Sequence, residues 1–133
     1  MTRSARDIRQ FPVHLGLGAT TVAQPEFTGG AWYEAYAERH GADGAEGRLV
    51  AMHTFTSDWT TWEIHPEGEE LVLCIAGQIT ILQELAEGQV HSETIGAGEY
   101  LVNPAGVWHT ADVAERATVL FVTPGLGTEN RER

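Results

Sequence analysis

Four residues have the types and spacing of a centre that could bind metal or move protons: Glu63, His65, Glu70 and His109. Side chains alternate faces along an extended strand, so Glu63 and His65 point one way while Trp62 and Ile64 point the other. Pro66-Glu67-Gly68 reads as a tight turn that reverses the chain. Glu70 then opens the partner strand, where its carboxylate could lie beside His65. Three ligands would converge from one hairpin. Imidazole and carboxylate together suit Fe(II), Mn(II), Zn(II) or Ni(II), so the expected cofactor is one divalent metal ion. Further on, Pro104-Ala105-Gly106 redirects the chain and launches a strand. His109 lies near its start and could aim inward as the remaining ligand. The competing reading is a pair of satisfied barrel histidines with no metal. Burying two carboxylates and two histidines without a cation is costly, which favours the metal.

These residues sit among many short strands. The 133-residue chain is the size of one domain. Its 15 glycines call for many turns. Residues 1–10 are polar and expected to be flexible, and residues 11–133 form the single domain, with a motif core at about 48–123. The region 11–28 could add an edge strand. Ala31–His40 has helical composition, with Trp32, Tyr36 and Tyr33 as a candidate apolar face and Gly41 as a cap. Strands are expected at 48–55, 60–65, 70–75, 79–83, 90–95, 100–103, 108–113 and 117–123, with Gly77 breaking the run between 70 and 83. Strands at short spacing with no helix between them indicate an all-β sandwich or barrel.

The two stretches resemble the two sequence motifs of the cupin superfamily. The first motif places a glycine, five residues, His-x-His, three or four residues, a glutamate, six residues and a closing glycine. His65 matches its second histidine, Glu70 its glutamate and Gly77 its closing glycine. In the second motif Gly98, Pro104, Gly106 and His109 fall in register. Three positions depart from the pattern: Ser57 replaces the leading glycine, Glu63 the first histidine and Val113 the final asparagine. The resemblance implies a small jelly-roll barrel, the cupin-type double-stranded β-helix, with a short N-terminal helix. It also implies a ligand set of Glu63, His65, Glu70 and His109. Two carboxylates would neutralise a divalent ion and favour a harder metal than a three-histidine site. Alternatively, Glu63 does not ligate and serves as a catalytic general base.

Trp59 and Thr61 share parity with Glu63, and Val72 and Cys74 share parity with Glu70. These four are the expected pocket walls, with Cys74 most simply a small buried apolar residue. Trp62, Ile64 and Trp108 take the opposite face, against a second layer or a partner subunit. Glu67 and Glu69 read as solvated turn residues, and His14, His40, His53 and His91 as structural or surface.

The net charge of −11, from 8 basic and 19 acidic residues, argues against nucleic acid and anionic membranes as partners. The expected partners are a small-molecule ligand and a second copy in a homodimer. A single cysteine precludes an intrachain disulfide, and the N-terminus has no apolar signal region. Both fit a cytoplasmic protein. The functional expectation is a metal-dependent enzyme acting on a small organic molecule by oxygenation, isomerisation or lyase-type elimination. The alternative is a non-catalytic metal- or ligand-binding module or assembly subunit.

Overall fold

The computed structural model describes residues 4–133. The first three residues of the expected flexible N-terminus lie outside this range. Its later part is tied down: the Gln10 carbonyl accepts a hydrogen bond from the Phe27 N–H at 2.7 Å. The chain then runs through β1 (Val13–Leu15), β2 (Thr21–Ala23), α1 (Gly30–His40), β3 (Arg48–Phe55), β4 (Thr61–Ile64), β5 (Glu70–Ala86), β6 (Gln89–Gly96), β7 (Tyr100–Asn103), β8 (Trp108–Asp112), β9 (Ala117–Pro124) and β10 (Glu129–Glu132).

All pairings are antiparallel. One sheet runs β2-β1-β3-β9-β5-β7, and the other runs β10-β4-β8-β5-β6. Strand β5 belongs to both: Leu71–Gly77 pairs with β9, and Thr80–Glu84 pairs with β8. Two expected strands are therefore one strand of 17 residues. Gly77 does not end it. A bulge at Cys74–Ala76 and the positive φ of Gly77 (76°) let the strand turn from one sheet into the other with the ladder continuing.

The inward-facing residues fill the space between the sheets. Val72, Cys74, Ile79, Ile81, Ala111, Ala117 and Val119 are all nearly inaccessible, and burying each large one contributes about 1.5–3 kcal/mol. Helix α1 closes the barrel beside β3. Trp32 and Tyr36, one turn apart on the same face, pack on Leu49 and Ala51. Gly41 caps the helix as expected, its N–H donating to the Ala37 carbonyl, and at φ −59° it stays right-handed. His14 pins β1 to this helix and to the segment after it: its Nδ1 pairs with the Tyr36 hydroxyl of α1 and its Nε2 with the Asp43 carboxylate beyond the helix end, both at 2.6 Å.

Strand β10 has no counterpart in the sequence reading, because Glu129–Glu132 is wholly polar and lacks an apolar alternation. It pairs with β4. Its Arg131 lies over the rings of Trp62 and Trp108, 5.2 and 4.5 Å from their centroids, and pairs with Glu84 at 2.8 Å. These two tryptophans thus carry a guanidinium on the outer face of the barrel instead of a second layer.

A candidate metal centre in the barrel mouth

Glu63 on β4 lies directly opposite His109 on β8 in the antiparallel register. His65 follows immediately after β4, and its carbonyl accepts a hydrogen bond from the Gly106 N–H at 3.1 Å. The Pro-x-Gly turn is thereby clamped against the first motif. Glu70 is the first residue of β5. The expected hairpin between β4 and β5 does not form: residues 65–69 carry the chain from one sheet across to the other. The four side chains still converge, because the two sheets face each other across the barrel mouth.

His65 Nε2 lies 3.3 Å from Glu70 Oε2 and 3.9 Å from Glu63 Oε2. His109 Nε2 lies 3.3 Å from Glu70 Oε1 and 3.7 Å from Glu63 Oε2. Ligand atoms of Glu63, His65 and His109 all fall within 4.8 Å of one another. The separations are those of charge pairs, not of aligned hydrogen bonds: both Nε2 atoms are buried and have no hydrogen-bond partner among the described residues. Two orphaned imidazole nitrogens facing two carboxylates fit a divalent cation, which would satisfy all of them at once.

The surrounding residues hold these ligands in place. Glu70 accepts a hydrogen bond from Asn103 Nδ2 on Oε1 at 2.9 Å and from the Thr123 hydroxyl on Oε2 at 2.6 Å. Gln83 Nε2 donates to Asn103 Oδ1 at 2.7 Å. His65 Nδ1 lies 2.9 Å from the Thr128 hydroxyl, which leaves Nε2 free for the centre. Sequence patterning did not single out Asn103, Thr123, Thr128 or Gln83. Asn103 is detectable as a polar residue with inward parity, paired with Glu70.

Without metal, the centre is a strongly coupled set of charges. Burial opposes charge on Glu70, yet the two imidazoles hold its carboxyl well below the usual range. Burial also opposes charge on His109, yet Glu63 and Glu70 outweigh it and raise its pKa to about 9. His109 therefore carries a proton at neutral pH that a metal must displace. Metal affinity should rise about tenfold per pH unit through neutrality and level off near pH 9, with a proton released on binding. Calorimetric titrations in buffers of different ionisation enthalpy count that proton. The linkage has the opposite sign for metal-free stability. The raised His109 contributes fully below pH 6.5 and its contribution is lost as pH rises through about 9; that of Glu70 is lost as pH falls.

The centre lies at one side of an open cavity of about 960 Å³. Trp59 and Thr61 line it. Val72 and Cys74 do not: both are fully buried in the hydrophobic core. Their inward parity is as read, but they lie deeper in the barrel, where neighbouring side chains fill the interior. His53 joins the lining, together with Tyr33, Phe55 and Phe121. Its parity with Leu49, Ala51 and Phe55 on β3 was the available signal. Burial lowers its pKa, with Glu63 acting weakly the other way.

No protein-family model matches the chain, and no curated protein does. Solved structures do match. A cupin-2 domain-containing protein from Shewanella frigidimarina superposes with a TM-score of 0.50 at 21% identity, over 58% of this chain and 70% of that one. Hydroquinone 1,2-dioxygenase from Sphingomonas sp. TTNP3, solved with 4-hydroxybenzoate bound, gives 0.50 at 14% identity, over 57% of this chain and 58% of its own. Bacillus subtilis oxalate decarboxylase, described with Mn(II) centres, gives 0.54 at 14% identity, over 72% of this chain and 26% of its own. The class is thus an all-β jelly-roll barrel with a candidate metal centre in its mouth. Its fold is the cupin fold. No helix among the described residues is long and apolar enough to cross a membrane.

Proposed function

We propose that this barrel is a metal-dependent enzyme acting on a small, uncharged aromatic molecule. The observation that carries the reading is the pair of buried, unpartnered imidazole nitrogens facing Glu63 and Glu70 beside an open cavity. Glu63, His65, Glu70 and His109 would hold the cation, which supplies Lewis-acid polarisation or dioxygen activation when bound. The chemistry is of the oxygenase, isomerase or lyase type.

The cavity lining supports this substrate class. Glu34, Asp58, Glu63 and Glu70 line it, and among the described residues no lysine or arginine does. Two of those carboxylates would offset a divalent ion, and the other two leave the mouth negative. An anionic substrate finds no guanidinium or ammonium there among the described residues. Tyr33, Phe55, Trp59 and Phe121 instead offer aromatic surface to a flat ring. His53, kept neutral at pH 7 by burial, is positioned to accept a hydrogen bond or proton from a substrate hydroxyl. Glu63 is the more exposed of the two carboxylates, with a third of its side chain accessible. It is the one able to face substrate.

Titration of metal-loaded protein with phenol, benzoate and benzylammonium, followed by tryptophan fluorescence, tests the substrate class. Phenol should bind at least about tenfold more tightly than benzoate, a difference of about 1.4 kcal/mol. His53→Leu should reduce the phenol affinity and leave metal content unchanged. Tighter binding of benzoate would refute the reading. Metal uptake without binding of any probe would favour a non-catalytic metal-binding module.

A further inference from the structure

Among the described residues a second group of ligating side chains lies outside the barrel mouth: His14 on β1, His40 at the end of α1 and Asp43 in the 3-10 turn Gly41–Glu46. One ligand atom from each lies within 4.8 Å of the other two. His14 Nε2 and Asp43 Oδ2 are 2.6 Å apart, and the His40 ring stacks on the His14 ring with centroids 3.9 Å apart. None of the three lines the cavity beside Glu63 and Glu70.

Two observations distinguish this cluster from an ordinary ion pair. The first is an outer shell that prepares both rings. The Tyr36 hydroxyl lies 2.6 Å from His14 Nδ1. A hydroxyl can donate or accept, so His14 can hold its proton on Nδ1 and present a lone pair on Nε2. Gln24, itself buried, accepts on Oε1 from Arg39 Nε and Nη2 at 3.3 and 3.0 Å. Its amide nitrogen therefore donates toward His40 Nε2 at 2.9 Å, which keeps a lone pair on that nitrogen as well. The second is room beside the ligand atoms. A Cβ on Gly16 would press on Thr20 Oγ1, Asp43 Oδ2 and His14 Nε2 at 2.6, 3.0 and 3.2 Å, and one on Gly47 would lie 3.0 Å from Asp43 Cβ and from His14 Cε1. Gly16 (φ −102°) and Gly47 (φ −75°) hold backbone angles that any residue adopts. Glycine is needed there for space, not for conformation.

We propose that His14, His40 and Asp43 form a second cation site, taking a borderline divalent ion such as Zn(II) where β1 meets the end of α1. Two imidazoles and one carboxylate are ligands suited to such an ion, with water free to complete a tetrahedron. The cation takes the place of the proton between His14 Nε2 and Asp43, which moves to Nδ1. It joins β1, α1 and the following turn at one point. His40 has to turn about its side-chain bonds, since its ring is only 16° from parallel to that of His14. Its place as the half-buried last residue of the helix permits this. That rearrangement and the smaller ligand set make the site weaker than the four-ligand barrel mouth, so it empties on purification and fills when cation is added.

Calorimetric titration of the metal-free full chain with Zn(II) tests the proposal. Wild type should take two equivalents, the weaker in the micromolar range. Asp43→Asn keeps a hydrogen bond to His14 and should weaken that second equivalent by at least about tenfold, as should His40→Gln, with circular dichroism and the tighter equivalent unchanged. His65→Ala with His109→Ala should lose the tighter equivalent and keep the weaker. His91→Gln, at an exposed histidine of β6, should change neither. If the barrel mouth took no metal, wild type would bind one equivalent and Asp43→Asn would still weaken it, so the two sites fail separately. A wild type without the weaker equivalent would overturn the proposal. So would an affinity weakened less than tenfold by Asp43→Asn or by His40→Gln, or a site lost with His91→Gln.

Discussion

His65→Ala combined with His109→Ala should purify without metal, and the wild type should carry close to one equivalent of iron, manganese, nickel or zinc. The expectation follows from the donor set. Both Nε2 atoms are buried without a partner, and only Glu63 and Glu70 would remain as protein ligands. Loss of a single outer hydrogen-bond partner typically lowers metal affinity by about 10–100-fold. Loss of two direct ligands should exceed that. The metal-free variant should also be less stable than the metal-free wild type. Glu70 would stay buried with its Asn103 and Thr123 hydrogen bonds but without either imidazole, and breaking a buried pair costs about 3–5 kcal/mol. Elemental analysis with near-ultraviolet circular dichroism separates lost ligation from lost fold. Glu63→Gln then decides the role of that carboxylate. Metal lost together with activity makes Glu63 a ligand. Metal retained with activity lost makes it the proton carrier. A wild type that stays empty after reconstitution with each of the four metals would refute the metal centre itself.

Much of this was legible in the sequence, because the strand period is two and the motifs fall at turns. Arg48–Phe55 and Tyr100–Asn103 coincide with the strands expected between turn signals. The parity of the four candidate ligands was readable residue by residue, but what brings them together is the facing of the two sheets across the barrel mouth. Depth along the barrel was not readable. Val72 and Cys74 share parity with Glu70, yet they lie in the packed interior while Trp59 and Thr61 reach the cavity. Sheet membership was also hidden. A turn such as Pro66-Glu67-Gly68 looks the same whether it closes a hairpin or crosses between sheets. The supporting residues were missed for a different reason. Thr123, Thr128 and Asn103 act through contacts of long sequence separation, which leave no local pattern. Strand β10 was missed because its ladder is held by backbone bonds, with Arg131 stacked on two tryptophans in place of an apolar face.

Gly77→Ala should cost far more stability than Gly98→Ala, although both glycines hold similar backbone angles. Gly77 has φ 76° and Gly98 φ 87°, a region where an L-residue pays about 1–2 kcal/mol. That part of the cost is common to both. The surroundings differ. A Cβ on Gly98 would meet nothing within 4 Å among the described residues, whereas one on Gly77 would clash with the Arg116 carbonyl oxygen and lie 3.0 Å from its carbon. Those are backbone atoms of the connection between β8 and β9 and cannot swing aside as a side chain would. They are also held by the Gln78 N–H, which donates to the Arg116 carbonyl. Relieving the clash requires moving this connection away from β5, at the bend where β5 passes from one sheet to the other. The expected loss for Gly77→Ala is about 4 kcal/mol or more, at the exceptional end for a point substitution. Against a typical total of about 5–15 kcal/mol, that removes much of the stability of the fold. Urea denaturation of both variants at fixed pH, with metal removed, measures the difference. Equal midpoints would mean that the two sheets are not drawn together at Gly77. A large gap would explain why this bend takes a glycine: β5 supplies Glu70 to the candidate metal centre at one end and pairs with the His109 strand at the other, with its backbone close to Arg116 between them.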